Sequence, residues 1–397
     1  MTALQQVEQA IAAGDLRRPA RTAPSFVDLA TAVLRLAGVK LQHSGHSQAI
    51  IDLIREPHHL LFILVDGMGS FVIDQLESSG LVRSGMRMEI DAVFPATTAC
   101  AMTTLATATW PAEHGVPGWY GYLAERDIAT TVLKFEERFQ QRPLADLGVA
   151  LAELWPLPPL LGVAERDVCV ILPEPIAHST YSGYQTGGRQ TRSYSALQQL
   201  PELIGAALTA SSPSFTYCYL PEFDALCHEH GARSEQAIAA LRGIDALLGQ
   251  VRDRLPSDAR MLVSADHGLL DVADEDTYLL RHDDALLRQL RSAPCGEPRT
   301  PHLFVKEGEA AAVREALVEA TAGAFAFVTQ AEAERVELFG PGGLSAFARR
   351  RFGDLIGVAL RPATLELALP LPPGKAPMRG RHGGMAVAEV RVPVSLH

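Results

Sequence analysis

Apolar and polar positions along the chain repeat in a steady rhythm. Short apolar runs closed by aspartate, glycine or proline alternate with longer stretches of helical apolar spacing. The runs LLFILVD (60–66), MEIDAVF (88–94), DVCVILP (167–173), SFTYCYLPEFD (214–224), RMLVSADHG (260–268) and HLFVKE (302–307) predict strands. FVDLATAVLRLAGV (26–39) and SEQAIAALRGIDALLGQVRDRL (234–255) predict helices between them. Strands alternating with helices predict an α/β fold with a mainly parallel central sheet and helices on both faces.

The rhythm changes over 277–375, where a separate strand–helix–strand pattern predicts a small inserted α+β subdomain or lid. The main α/β domain then comprises 46–276 and 376–397, and 1–45 is expected to form an N-terminal helical arm. The Pro/Gly-rich stretch LALPLPPGKAPMRGRHGG (367–384) is expected to be loop.

Composition narrows the function. The chain has 397 residues, 47% of them hydrophobic, and a net charge of −11. The length and apolar content support a large core, and the charge argues against a nucleic acid polymer as partner. No apolar run reaches the roughly 20 residues of a membrane span. Five cysteines (100, 169, 218, 227 and 295) are scattered with no CxxC. They read as free thiols in a reducing, cytoplasmic setting. The sequence carries no signal of oligomeric state.

In parallel α/β sheets, function gathers beyond the carboxyl ends of the strands. Asp66 stands there after the first run, and Asp266 and His267 after the fifth. Asp224 and His228 follow the fourth, four residues apart, so one helical turn aims both the same way. His382 lies between arginine and glycine near the end. Three aspartates and three histidines make ligands for two divalent metal ions, zinc first, with manganese or iron as alternatives. Three carboxylates against two dications leave one positive charge, which suits a phosphoryl or sulfuryl group. Thr97 and Thr98, at the start of the helix in FPATTACAMTTLATATW, are the candidate nucleophiles, and both also suit a helix cap.

The order of these motifs resembles the alkaline phosphatase superfamily, and within it the type I phosphodiesterase/nucleotide pyrophosphatase family, from about residue 60 to 392. VDGMG, FPATT…WPAEHGVPG, EFDALCHEHG, SADHG and GRHGG correspond in order to the family's motifs. The resemblance implies one metal held by Asp224, His228 and His382. It implies a second held by Asp66, Asp266 and His267 together with the nucleophile's oxygen. It favours Thr98 over Thr97, on the distance to Pro111 and His114. It implies two displacements, through a covalent phospho-threonine, on a small-molecule phosphate ester or phosphonate.

Two departures stand out. The family's Thr-Phe-Pro-Asn is here Thr98-Ala99-Cys100-Ala101, and Trp119 stands near the place of its phosphoryl-contacting asparagine. Trp119 and Tyr120 are therefore candidate substrate contacts, with pocket wall or core as the alternative. A phosphomonoesterase, a phosphonate hydrolase and a metal-binding non-catalytic homologue are the competing functions.

Overall fold

The computed structural model describes residues 1–209, 211–370, 374 and 376–397. Two seven-stranded sheets organise it. The central sheet contains β1 (His59–Val65), β2 (Met86–Asp91), β3 (Asp167–Pro173), β4 (Gln190–Tyr194), β5 (Ser214–Leu220), β6 (Ala259–Ser264) and β7 (Arg391–Leu396). Their spatial order is β2–β7–β6–β1–β5–β3–β4. Pairs β1–β5, β1–β6, β3–β5 and β3–β4 are parallel, while β7 runs antiparallel to both neighbours. The sheet is thus mainly parallel, as expected. The chain end that completes it gives no strand signal of its own in the motif series.

All seven residues of β1 are buried. Both faces of the sheet are covered there, so the strand reads as a continuous apolar run rather than an alternating one. Register sets the site: Val65 pairs with Leu220 and Leu64 with Ser264. The three neighbouring strands therefore end level, and the polar residues that follow them emerge side by side.

The second sheet is antiparallel. Its order is Phe325–Thr329, Leu355–Ala359, Thr300–Leu303, Cys295–Glu297, Tyr120–Leu123, Ile128–Thr131 and Glu136–Glu137. The segment 277–375 does not build this sheet alone, because three strands come from 120–137. The strand expected at 302–307 forms here as Thr300–Leu303.

The N-terminal residues pack into the body. Helix Phe26–Leu36 buries nine of its eleven residues and packs on the helix Thr98–Thr107. Further upstream, Arg17 N–H donates to the Met385 carbonyl at 2.7 Å, just beyond His382. The loop expected over 367–384 falls partly on residues outside the described set. Of its described part, Gly380–Arg381 forms a short strand with Leu270–Asp271. Among the described residues no helix is long and apolar enough to cross a membrane.

Candidate metal centre and nucleophile

Asp66 is the first residue past β1 and is 3% exposed. Its backbone N–H continues the ladder to the Leu220 carbonyl at 2.9 Å. Gly67 then turns the chain at φ +72°, where an added Cβ would meet Leu269 at 2.6 Å and Asp224 at 3.1 Å. Only glycine allows this turn between two of the candidate ligands. The Gly67 N–H donates to Asp266 Oδ1 at 3.2 Å.

Asp224 and His228 share helix Glu222–His230, with His228 Nε2 3.2 Å from Asp224 Oδ2. The other ring nitrogen of His228 bonds the Gly380 carbonyl at 2.8 Å, which orients the ring. His267 Nε2 lies 3.3 Å from Asp66 Oδ1 and 3.5 Å from Asp266 Oδ2. The His382 ring stacks on His267 at 4.0 Å between centroids and lies 5.0 Å from that of His228. The structure therefore brings all six strand-end residues into one cluster.

Ligand atoms of Asp224, His228 and His382 lie within 4.8 Å of one another, as do those of Asp66, Asp224 and His267. Asp224 belongs to both groups. Asp266 reaches the second group through His267. Among the described residues, four buried atoms, Asp66 Oδ1, Asp224 Oδ1, Asp266 Oδ2 and His382 Nδ1, have no hydrogen-bonding partner. Buried polar atoms are ordinarily paired. Orphaned oxygens and an orphaned imidazole nitrogen, gathered from four segments, fit a shell for divalent cations.

The electrostatics agree. Burial, reinforced by Asp266 and Asp224, pushes the Asp66 carboxyl well above the usual carboxylate range. Burial also raises Asp266. Burial opposes the charge on Asp224 too, but the neighbouring imidazoles, His228 first through its charge and its hydrogen bond, outweigh it and hold that carboxyl low. Burial, then His267, drives His382 well below the ordinary histidine value, so it is a neutral ring with a free lone pair. Crowded carboxylates beside the neutral His382 ring form a site that a dication would stabilise.

The two threonines diverge. Thr98 opens helix Thr98–Thr107, and its Oγ1 lies 3.2 Å from His267 Nε2 and 3.5 Å from Asp66 Oδ2. Thr97 is buried and donates to Glu297 Oε1 at 2.6 Å. The Trp119 backbone N–H donates to that same oxygen at 2.6 Å. The Tyr120 ring carries the Arg138 guanidinium 3.6 Å above it. Among the described residues, no hydrogen bond joins either aromatic ring to the six ligands. His114 supports the helix instead. It accepts the Val116 N–H on Nδ1 at 3.1 Å, which leaves Nε2–H to donate to Thr104 at 3.2 Å.

Several contributors carry no motif. The Tyr219 hydroxyl donates to Asp66 Oδ2. Its one signal is its place as the second of two tyrosines near the end of the strand SFTYCYL, opposite Leu64. Arg299 and Glu389, both fully buried, pair at 2.7 and 2.9 Å. Glu389 also accepts the Gly384 N–H at 2.8 Å, and its carbonyl accepts the Gly268 N–H at 2.8 Å. This ion pair thus braces the loops that carry His267 and His382.

Comparison with known proteins places this geometry. No curated protein matches the sequence. The human ectonucleotide pyrophosphatase/phosphodiesterase 5 has a similar structure, with TM-score 0.64 and 16% identity over 85% of this chain and 87% of that one. The murine protein gives 0.61 at 15% identity, over the same shares of the two chains. Its inactive threonine-to-alanine variant in complex with AMP gives 0.62 at 15%, again over 85% and 87%. The model of the type I phosphodiesterase / nucleotide pyrophosphatase family matches residues 60–384. From β1 to the His382 loop the match takes in every strand-end residue described above, and the chain belongs to that family of metal-dependent phosphoric ester hydrolases.

Proposed function

We propose that the chain is a two-metal phosphodiesterase of nucleotide pyrophosphatase type that acts through Thr98. The observation that carries this reading is a cluster of six ligand residues with four orphaned buried atoms, at whose edge the Thr98 hydroxyl lies 3.2 Å from His267 Nε2 and 3.5 Å from Asp66 Oδ2. Asp224, His228 and His382 would hold one divalent ion, and Asp66, Asp266 and His267, with Thr98 Oγ1, the other. Zinc suits this mixed oxygen and nitrogen set, as do manganese and iron. Bound there, the ions supply positive charge for phosphoryl oxygens and lower the pKa of a coordinated hydroxyl.

The chain's own residues do the rest. Asp66 and His267 fix the Thr98 oxygen at the edge of the cluster. That oxygen loses its proton and attacks phosphorus in line, forming a P–O bond as the leaving oxygen departs. Water then cleaves the phospho-threonine ester and restores the hydroxyl. The inactive threonine variant of the murine relative supports a threonine in this role, and its AMP supports a nucleotide as substrate. A cytoplasmic setting is also proposed, supported by five buried, unpaired cysteines.

The test is a panel of bis-aryl phosphodiesters, monoesters, phosphonates and sulfates with zinc or manganese added. Diesters should turn over fastest. Thr98→Ala should lower kcat by at least about a thousandfold with metal content unchanged. Equal turnover by the variant would remove Thr98 from the mechanism.

A further inference from the structure

Helix Thr98–Thr107 begins in an uncommon way. Thr97 occupies the N-cap position with extended backbone (φ −147°, ψ 150°), yet its side chain makes no capping bond. A threonine so placed ordinarily turns its hydroxyl back onto an amide two or three residues ahead. Here the hydroxyl is drawn away to Glu297. Glu297 is 5% exposed, and its position is tightly defined. The Trp119 N–H holds its Oε1, and its Cβ lies 2.6 Å from where a Cβ on Gly383 would stand. Gly383, at φ +102°, thus admits the Glu297 stem beside His382.

The consequence falls on the helix. Among the described residues, the amides of Thr98, Ala99 and Cys100 take no acceptor from the protein. These three donors sit at the positive end of a ten-residue helix, the end that carries Thr98 Oγ1. A hydroxyl capping that turn would compete with any anion for them.

We propose that Glu297 is a positioning residue that holds Thr97 off its own helix and so keeps the first-turn amides open to the phosphoryl oxygens of a phosphate ester. The proposal rests on the reading of Thr98 as nucleophile, since only then does the substrate's phosphorus lie at this helix end. Glu297 acts as an acceptor and not by its charge. Burial pushes its carboxyl up to about 7, but the Thr97 hydroxyl and the Trp119 amide need only an oxygen, which glutamine also offers.

A double-mutant cycle on the metal-loaded enzyme tests this. It uses bis-p-nitrophenyl phosphate as substrate and inorganic phosphate as inhibitor, with metal content and Tm recorded for each variant. Glu297→Met releases Thr97 to cap. It should lower kcat about ten- to a hundredfold and weaken phosphate inhibition, with metal content unchanged. Glu297→Gln should stay within about fivefold of wild type. Thr97→Val should lose no more than about threefold, and adding it to Glu297→Met should recover most of the lost kcat, because no hydroxyl remains to cap. Thr97→Asp, which has no hydroxyl to donate to Glu297 and is a strong cap, should imitate Glu297→Met even where that variant folds poorly.

The inference is overturned if the double variant is as slow as Glu297→Met, if Glu297→Met keeps wild-type kcat, or if Thr97→Asp matches Thr97→Val. Thr98→Ala separates the two claims. Turnover by that variant defeats the nucleophile reading, whereas an inactive Thr98→Ala with an additive cycle defeats only the role of Glu297.

Discussion

The central sheet and the second sheet have seven strands each, yet they relate to the site differently. Asp66, Asp224, Asp266 and His267 all follow strands of the central sheet, and His382 stands in the loop leading to its last strand. The second sheet supplies no candidate metal ligand among the described residues. It contributes Glu297 and, through Arg299 beside it, the ion pair that braces two ligand loops. Parallel strands with covered faces can present functional groups at one edge only, their carboxyl ends. Antiparallel strands end at both edges, so no sequence rule says which end meets the site. The first sheet holds the chemistry, and the second holds it in place.

That division is broken most directly from the central side. Asp224 belongs to both ligand groups. Asp224→Asn should therefore empty the position it shares with His228 and His382, weaken metal binding at the neighbouring Asp66 and His267, and cut kcat by more than about a hundredfold, read by metal analysis of the purified variant beside its kinetics. Loss of one metal with the other at full occupancy would show that Asp224 serves a single group.

From the supporting side, Arg299→Met leaves Glu389 charged and fully buried. A cost of about 3–5 kcal/mol in denaturant unfolding is expected, because the uncompensated charge outweighs the lost attraction. Activity of the remaining folded protein should fall less than in Asp224→Asn. If stability is unchanged, the pair does not brace the loops.

The smallest effect concerns acid. His302, in the second sheet, is buried, and burial lowers its pKa from 6.5 to about 4. His114, beside the nucleophile helix, is lowered to about 3 for the same reason. Both are neutral in the folded protein. The unfolded chain binds the protons first as pH falls below about 6.5. Stability from these groups is thus complete above that pH and lost as pH falls toward the folded values, by about 1.4 kcal/mol per pH unit each. His302→Gln retains a donor for the Phe352 carbonyl, which His302 bonds at 2.8 Å, and removes the titration. Its urea midpoint should change less between pH 7 and pH 5 than that of wild type. An unchanged pH dependence would mean that His302 takes up its proton equally in the folded and unfolded chain.

Why some of this was readable in the sequence and some not follows from the same contrast. The apolar run before Asp66 is continuous because β1 is buried on both faces, and level strand ends gather whatever follows them. The four-residue spacing of Asp224 and His228 needs only a helical turn. By contrast, Glu297 lies two hundred positions from its Thr97 partner, in a short strand flanked by turns. Nothing local marks it. Strand β7 hides for a related reason: it joins the sheet antiparallel, from the far end of the chain. Only the resemblance, through the distance to Pro111 and His114, separates the adjacent Thr97 and Thr98 in sequence, and in the structure long-range contacts to Glu297 and His267 set them apart.

The central claim is that the Thr98 oxygen itself bonds to phosphorus. Acid quenching of the metal-loaded enzyme during turnover of a bis-aryl phosphodiester, followed by peptide mass spectrometry, tests this most directly. The account predicts an aryl-phosphoryl adduct on Thr98 in the wild type and none in Thr98→Ala. An adduct on Thr97, or steady turnover by Thr98→Ala without any adduct, would contradict it.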